Sequence, residues 1–236
     1  MRSTAGSTAP TGTAMRPESP GQDAVSEPSG KVRRFSPAER WIHRITGYLM
    51  LVCLVTAACL YLGPLAQLVG RRHLMVTLHE WSGIALPLPF LLGLFSRAFR
   101  ADLRRINRFA AYDRQWLRAV RRRRTSPGAR PAGKFNAGQK LYAGWIAGAV
   151  LVMMFTGLLM WFMGLLPFIS RTSAIFVHDL LAWAITFVVL GHLRMARQDP
   201  EARLGMRTGY VSRTWARRHH AKWLREEQAG SSTSVE

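Results

Sequence analysis

The sequence AIFVHDLLAWAITFVVLGHLR occupies residues 174–194, and Asp179 is the one Asp, Glu, Lys or Arg within residues 172–193. A helix that crosses the ~30 Å hydrocarbon core of a bilayer needs about 20 mostly apolar residues. The stretch therefore predicts a transmembrane helix. It also contains His178 and His192. Because ionisable residues at membrane depth are costly, these two histidines are candidates for a functional role.

The spacing of these two histidines places them on one face of the predicted helix. They are 14 residues apart, which at 100° per residue returns to within about 40° of the starting direction. At ~1.5 Å of rise per residue, they lie roughly 21 Å apart along the helix axis. We therefore expect one histidine near each surface of the membrane.

Three further stretches have the length and composition of membrane spans. Residues 45–70 and 141–170 contain no Asp, Glu, Lys or Arg, and residues 74–96 contain one, Glu80. The predicted fold is an all-α integral membrane four-helix bundle, with spans near 41–63, 74–96, 141–166 and 174–194. The bundle domain covers residues 35–194. Residues 1–34 are expected to form a disordered N-terminal tail because their composition cannot bury a core, and residues 195–236 a basic cytoplasmic C-terminal tail.

The basic residues predict the orientation of the chain. The net charge is +20 although 48% of the residues are hydrophobic. Fourteen Lys or Arg residues lie in 97–140, seven precede residue 45 and nine follow residue 193, whereas the two short connectors hold three. Since cytoplasmic loops collect Lys and Arg, both termini and the long middle loop are expected in the cytoplasm. This pattern favours a multi-pass protein of the cell (inner) membrane, in contact with lipid, over a nucleic-acid-binding protein.

Four histidines form two pairs by depth. His43 begins the first span on the inner side, like His192, and His79 begins the second span on the outer side, like His178. We interpret these as metal ligands that hold two haems within facing helices. Two pairs about 20 Å apart cannot close one tetrahedral zinc site.

Other residues of the predicted spans and loops bear on this interpretation. Gly47 and Gly83 each follow a predicted ligand by one helical turn and leave room for a flat porphyrin, although close helix packing also favours glycine. Two cysteines, Cys53 and Cys59, are too few for an iron–sulfur cluster. The remaining histidines, His73, His219 and His220, are expected to be surface residues.

Several motifs resemble those of a known family. They are RWIHR at 40–44, LHEWSG at 78–83, GKFNAGQK at 133–140, the His178/His192 spacing, and GYVSRTWARRHH at 209–220. With these motifs the chain resembles the cytochrome b (gamma) subunit of membrane-bound formate dehydrogenase, over about residues 33–228. The wider group includes the di-haem cytochrome b561-like and nickel hydrogenase cytochrome b families.

The resemblance implies two b-type haems, ligated by His43 with His192 and by His79 with His178. It also implies a pocket for menaquinone or ubiquinone in which Asn136, Gly138 and Gln139 contact the quinone. Asn and Gln side chains suit a quinone carbonyl, and Asn136 is equally suited to cap the third helix.

The same resemblance implies partner subunits. This chain has no molybdenum site, iron–sulfur motif or dinucleotide fingerprint, so the substrate-oxidising site would lie on iron–sulfur and molybdenum-containing dehydrogenase subunits. The function implied is electron transfer from that dehydrogenase, with formate as the expected substrate, to a membrane quinone.

Three alternatives stay open at this stage. The chain could be a stand-alone transmembrane reductase of the cytochrome b561 type, or the cytochrome b subunit of a hydrogenase or another molybdenum oxidoreductase. It could also be a non-redox transporter or anchor whose histidines are structural. A haem spectrum separates the last class from the others. Co-purification with an iron–sulfur or molybdenum subunit separates a subunit of an oxidoreductase complex from the stand-alone reductase.

Overall fold

A computed structural model of the protein describes residues 30–124, 128, 130–162 and 171–233. These residues form a mostly helical chain with one small antiparallel sheet. The elements in chain order are β1 (Lys31–Arg33), α1 (Pro37–Tyr61), α2 (Gly63–Val69), α3 (Arg72–Ala85), α4 (Leu88–Gly93), α5 (Arg97–Asn107), α6 (Ala111–Arg121), α7 (Ala137–Trp161), α8 (Arg171–Gln198), α9 (Pro200–Thr208), β2 (Tyr210–Ser212), α10 (Arg213–His219) and α11 (Ala221–Thr233).

Three helices, α1, α7 and α8, are long and apolar enough to cross a membrane. A fourth candidate is the bent unit in which Arg72–Gly93 is followed by α5. Large apolar side chains along these helices face outward, and Leu51, Val55, Phe155 and Phe187 are each more than half exposed. Contiguous apolar surface of this kind is rare on soluble monomers and fits contact with lipid. The protein is therefore a multi-pass membrane protein.

The second span is broken, whereas the sequence predicted one continuous helix near 74–96. α3 ends at Ala85, and α4 begins at Leu88 with Pro87 at its N-cap. Proline lacks a backbone N–H and its ring clashes with the preceding turn, which explains the break. After Gly93 the chain turns by 104° into α5. A β-carbon at Gly93 would lie 2.5 Å from Ile42 Cδ1, so the turn needs glycine for this close approach to α1.

The four predicted spans meet in one apolar layer. Its buried members are Met50 of α1, Leu86 at the end of α3, Ala149 of α7 and Ile185 of α8. One residue from each segment contributes, so the layer joins all four. The predicted third span, 141–166, is helical to Trp161, and residues 163–166 lie outside the described part of the chain.

The segments predicted as tails fold together at the end of the helix bundle where α1 begins. We call this folded unit the cap. β1 pairs with β2 antiparallel, with Val32 opposite Val211. Arg40 and Arg44 of α1 donate to the carbonyl of Arg207 at 2.7 and 2.9 Å. The chain is thus ordered from before residue 34, and residues after 195 fold back on α1. Residues 1–29 of the predicted N-terminal tail lie outside the described residues.

The interior of the cap contains His220, which the sequence analysis had placed on the surface. His220 is 3% exposed and packs beside Trp223 and Trp215. Its Nδ1 lies 2.7 Å from the carbonyl of Gly133, and its Nε2 lies 3.1 Å from the Arg34 guanidinium. The prediction for His220 was therefore wrong, because its neighbours come from distant parts of the chain. His73 and His219 are exposed, as expected.

Candidate functional site

The structure brings the four predicted ligand histidines together as two pairs. The ring centroids of His43 and His192 are 6.2 Å apart, and those of His79 and His178 are 6.1 Å apart. His43 and His79 come from α1 and α3, and both of their partners come from α8. We call His43/His192 the cap-side pair and His79/His178 the distal pair.

The two pairs lie at different depths of the same bundle. α8 runs without a break from Arg171 to Gln198, so the 14 residues from His178 to His192 correspond to roughly 21 Å of helix. Ile185 is seven residues from each histidine and belongs to the buried apolar layer. The layer therefore separates the two pairs with packed side chains.

Each histidine of the distal pair is held by a threonine on a neighbouring helix. Thr56 Oγ1 of α1 lies 3.0 Å from His79 Nδ1, and Thr156 Oγ1 of α7 lies 2.9 Å from His178 Nδ1. The carbonyl of Cys53 also lies 3.1 Å from His79 Nδ1. Sequence reasoning missed both threonines. The available signal was a hydroxyl deep within an otherwise apolar span, but it does not specify a partner.

The cap-side pair has a different environment. The Tyr142 ring of α7 stacks on His192, with centroids 5.2 Å apart and planes 18° apart. Among the described residues, no hydroxyl or carbonyl of another residue hydrogen-bonds the ring of His43 or His192. Tyr142 lies one turn beyond Gly138, so it links the start of α7 to the cap-side pair.

The spacing within each pair fits two axial ligands of one metal ion. Metal–imidazole bonds are about 2 Å long, so rings on opposite sides of one ion have centroids roughly 6 Å apart. No cluster of three or more His, Cys, Asp or Glu residues that could hold a metal occurs in the described part of the chain. The arrangement therefore fits two separate two-ligand sites, which is what haem needs from a protein.

Glycines beside the ligands leave the space that a flat macrocycle needs. No heavy atom lies within 4 Å of the position that a β-carbon would take at Gly47, Gly83 or Gly191. Gly47 and Gly83 follow His43 and His79 by one turn, and Gly191 precedes His192. Their surroundings differ from the tight contact at Gly93, where glycine serves helix packing.

The start of α7 contains the three residues predicted to contact a quinone. Asn136 is the N-cap, and its Oδ1 accepts from the backbone N–H of Gln139 at 2.9 Å. Gln139 Oε1 accepts in return from the backbone N–H of Asn136 at 3.0 Å. This reciprocal capping box uses the two side-chain oxygens. The two side-chain amide nitrogens remain as donors at this position.

The neighbours of this capping box are held by packing and ion pairs. A β-carbon at Gly138 would lie 3.1 Å from the Trp116 ring of α6, so Gly138 permits the indole to lie on the helix start. Lys140 Nζ lies 2.8 Å from Asp113 Oδ2, and both side chains are buried. The arginine-rich middle loop, residues 97–140, thus contributes helix α6, which packs against α7.

Lys134 connects the same segment to α1. Its ammonium group lies 3.1 Å from Glu39 Oε1 and also pairs with Asp102 of α5. Its carbonyl accepts from the Arg34 guanidinium at 2.9 Å. Glu39 lies four residues before His43, so the capping-box segment and the cap-side pair share one supporting network. Sequence reasoning missed Glu39, Asp102 and Arg34 because each pairs with a distant residue.

Comparisons with known proteins identify the family to which the chain is similar. The family described as prokaryotic cytochrome b561 matches residues 34–200. The chain is 27% identical to the formate dehydrogenase cytochrome b556(fdo) subunit of Escherichia coli (strain K12) over 214 residues, which cover 86% of this chain and 96% of the relative. It is 33% identical over 97 residues to the nitrate-inducible formate dehydrogenase cytochrome b556(Fdn) subunit of the same organism, covering 40% of this chain and 45% of the relative. It is 32% identical over 98 residues, covering 40% and 41%, to the cytochrome b556 subunit of formate dehydrogenase from Haemophilus influenzae (strain ATCC 51907 / DSM 11121 / KW20 / Rd).

Proposed function

The chain belongs to the prokaryotic cytochrome b561 family, and on that basis we propose that it is the membrane subunit that carries electrons from a dehydrogenase to a quinone through two b haems. The observation that carries the proposal is the pair of facing histidines at each of two depths along α8. A protein that needed histidines only for packing would not place four of them as two ligand pairs of equal separation.

Each histidine pair would hold one haem. When bound, a b-type haem would supply one-electron chemistry. His43 and His192 would ligate the cap-side haem, and His79 and His178 the distal haem. Helices α1, α3 and α8 position these side chains, and the buried apolar layer around Ile185 lies between the two pairs.

The cap end faces the cytoplasm in this proposal. The cap and the segment from α5 to the start of α7 hold most of the Lys and Arg residues of the chain. Because positively charged loops are retained on the cytoplasmic side, both termini would lie there. The distal pair would then lie near the outer surface, where an electron-donating partner would dock.

The quinone would bind beside the start of α7. The amide nitrogens of Asn136 and Gln139 are donors suited to a quinone carbonyl, while their oxygens stay in the capping box. Trp116 lies against Gly138 and would form an apolar wall of this site. Tyr142, one turn further on, contacts His192, so a quinone here would lie close to the cap-side pair. The protons that quinone reduction consumes would come from the cytoplasm.

The relatives suggest which partner this chain would have. Three relatives are cytochrome b556 subunits of formate dehydrogenases. By that likeness, this chain would assemble with iron–sulfur and molybdenum-containing subunits that oxidise formate. The substrate-oxidising site would belong to those subunits, and this chain would supply the quinone-reducing site.

Haem analysis of single variants tests the proposal. The wild-type protein should contain two b haems per chain. His79→Ala or His178→Ala should remove the distal haem, and His43→Ala or His192→Ala the cap-side haem, so each loses roughly half of the reduced b-type absorbance. His73→Ala is the matched control because His73 is exposed. Wild-type haem content in all four ligand variants would refute the proposal.

Purification of the assembled complex tests the partner. An iron–sulfur subunit that co-purifies with this chain, together with formate-dependent haem reduction, is the expected result. A chain that purifies alone with both haems and exchanges electrons across the membrane would instead be the stand-alone transmembrane reductase.

A further inference from the structure

The two histidine pairs differ in what binds the second ring nitrogen. In the distal pair, each Nδ1 faces a threonine hydroxyl, Thr56 for His79 and Thr156 for His178, at 3.0 and 2.9 Å. Both rings of the cap-side pair lack such a hydroxyl among the described residues, and Tyr142 contacts His192 by stacking instead.

The two threonines are equivalent in their own helices. The sequence VCLVT at 52–56 of α1 matches VMMFT at 152–156 of α7 in its first and last residues. Thr56 Oγ1 donates to the Val52 carbonyl at 2.7 Å, and Thr156 Oγ1 donates to the Val152 carbonyl at 2.9 Å. Each threonine precedes its histidine by a similar distance, 23 and 22 residues.

These contacts determine where the imidazole protons lie. A threonine hydroxyl has one hydrogen, and here it goes to the backbone carbonyl four residues earlier. The hydroxyl oxygen must therefore accept from the histidine, so Nδ1 carries the proton. For His79, the Cys53 carbonyl at 3.1 Å requires the same tautomer, because a carbonyl only accepts. The Nε2 lone pair of each ring is left for a metal.

Hydrogen bonding to Nδ1–H also changes the strength of the ligand. An acceptor on that proton orients the ring and raises the basicity of the metal-binding nitrogen. A more basic ligand favours ferric over ferrous iron, and second-sphere hydrogen bonding is one of the means by which a protein sets a haem potential.

We propose that Thr56 and Thr156 are paired positioning residues that orient His79 and His178 and lower the reduction potential of the distal haem relative to the cap-side haem. This inference rests on the proposed function, because it requires haem at both pairs. The lower potential of the distal haem would favour electron transfer from that haem to the cap-side haem and then to the quinone beside it.

The two threonines should contribute similarly. His79 keeps the Cys53 carbonyl as an acceptor when Thr56 is removed. His178 likewise keeps a backbone hydrogen bond with Met153 when Thr156 is removed. We expect each valine variant to reduce the preference for ferric over ferrous distal haem by up to about tenfold, which raises that potential by up to about 59 mV.

A redox titration of the purified full-length protein, in its complex, tests this inference. Haem content is measured first, and the two haem potentials are then resolved by optical titration. Thr56→Val and Thr156→Val should raise the lower of the two potentials and leave the higher one unchanged. Thr156→Ser should restore the wild-type value because it retains the hydroxyl.

Thr186→Val is the matched control. Thr186 lies in α8 and donates to the Ala182 carbonyl at 2.7 Å, the same backbone contact that Thr156 makes. Its substitution removes an equivalent hydroxyl from the membrane region without touching either pair, so both potentials should stay unchanged.

The outcomes separate this inference from the proposed function. Wild-type protein without haem would refute the proposed function. Two haems whose potentials do not respond to either valine variant would overturn the inference alone. If Thr156→Val instead lost the distal haem, its retention in Thr156→Ser would support the positioning role, and its loss there would overturn it.

Discussion

Acid should destabilise the cap through one buried histidine, His220. Burial, followed by the positive charge of Arg34, lowers the pKa of His220 from 6.5 to about 3, although its bond to the Gly133 carbonyl works in the opposite direction. Nδ1 must donate to Gly133, so Nε2 accepts from the Arg34 guanidinium. A second proton would remove that acceptor and put two cations 3.1 Å apart.

The sign of the effect follows from the two states of the chain. Unfolded His220 binds a proton below pH 6.5, whereas folded His220 does not until about pH 3. Stability is therefore complete above pH 6.5 and falls as the pH decreases toward 3. Each pH unit in this window costs about 1.4 kcal/mol, so the cap should lose about 3 kcal/mol between pH 7 and pH 4.

Hydrogen exchange of the detergent-solubilised protein measures this loss. Peptides that cover β1 and residues 209–224 should lose protection at acidic pH, after correction for intrinsic exchange rates, while peptides from α7 and α8 should not. Arg34 remains charged in this range, because burial lowers its pKa only to about 10. Loss of protection should therefore follow the protonation of His220.

Two substitutions decide whether His220 is the cause. Glutamine carries a donor and an acceptor but does not titrate, so His220→Gln should remove this part of the pH dependence. His219→Gln is the control, because His219 is the adjacent residue and is exposed. The reasoning is refuted if the wild-type and His220→Gln caps lose protection over the same pH range and by the same amount.

Two further predictions concern the start of α7. Asn136→Asp keeps the capping oxygen but removes the amide donor, so quinone reduction should fall while thermal stability stays near wild type. Asn136→Leu should lose both functions, and loss of the helix N-cap should cost about 1 kcal/mol of stability. Equal quinone reduction in both variants and the wild type would remove Asn136 from the proposed quinone site. Lys140→Met leaves Asp113 as an unpaired buried charge and should destabilise the α6–α7 contact by about 3–5 kcal/mol. The double variant Lys140→Met with Asp113→Leu should recover much of that loss. A thermal-unfolding assay measures both effects.

The parts of the fold that depend on local composition were predictable. Apolar length and the distribution of Lys and Arg indicated the spans, and helical periodicity placed His178 and His192 on one face of α8. Depth alone then paired these residues correctly with His79 and His43, because two histidines at the same level of a small bundle have few other neighbours. Pro87 also had a local signal for the break in the second span, which the predicted continuous helix overlooked.

The cap was not predictable by the same means. Its stability depends on pairs such as Arg34 with His220, which are 186 residues apart, and a polar segment rich in arginine has no apolar periodicity to indicate burial. His219 and His220 are adjacent and chemically identical, yet one is exposed and the other is 3% exposed. His220 faces inward because its ring meets Arg34 and the carbonyl of Gly133, both distant in the sequence.

The threonines of the distal pair show how a site can depend on residues whose role is not visible in the sequence. Thr56, Thr156 and Thr186 all donate to a carbonyl four residues earlier, so each satisfies its own hydroxyl hydrogen within its helix. Because its hydrogen is used in this local bond, the hydroxyl oxygen can only accept a hydrogen bond from a donor on a neighbouring helix. Two of the three meet a histidine ring and the third does not. The difference between the two histidine pairs therefore arises from helix packing. By the inference above, this difference in hydrogen bonding sets the direction of electron transfer between two otherwise similar sites.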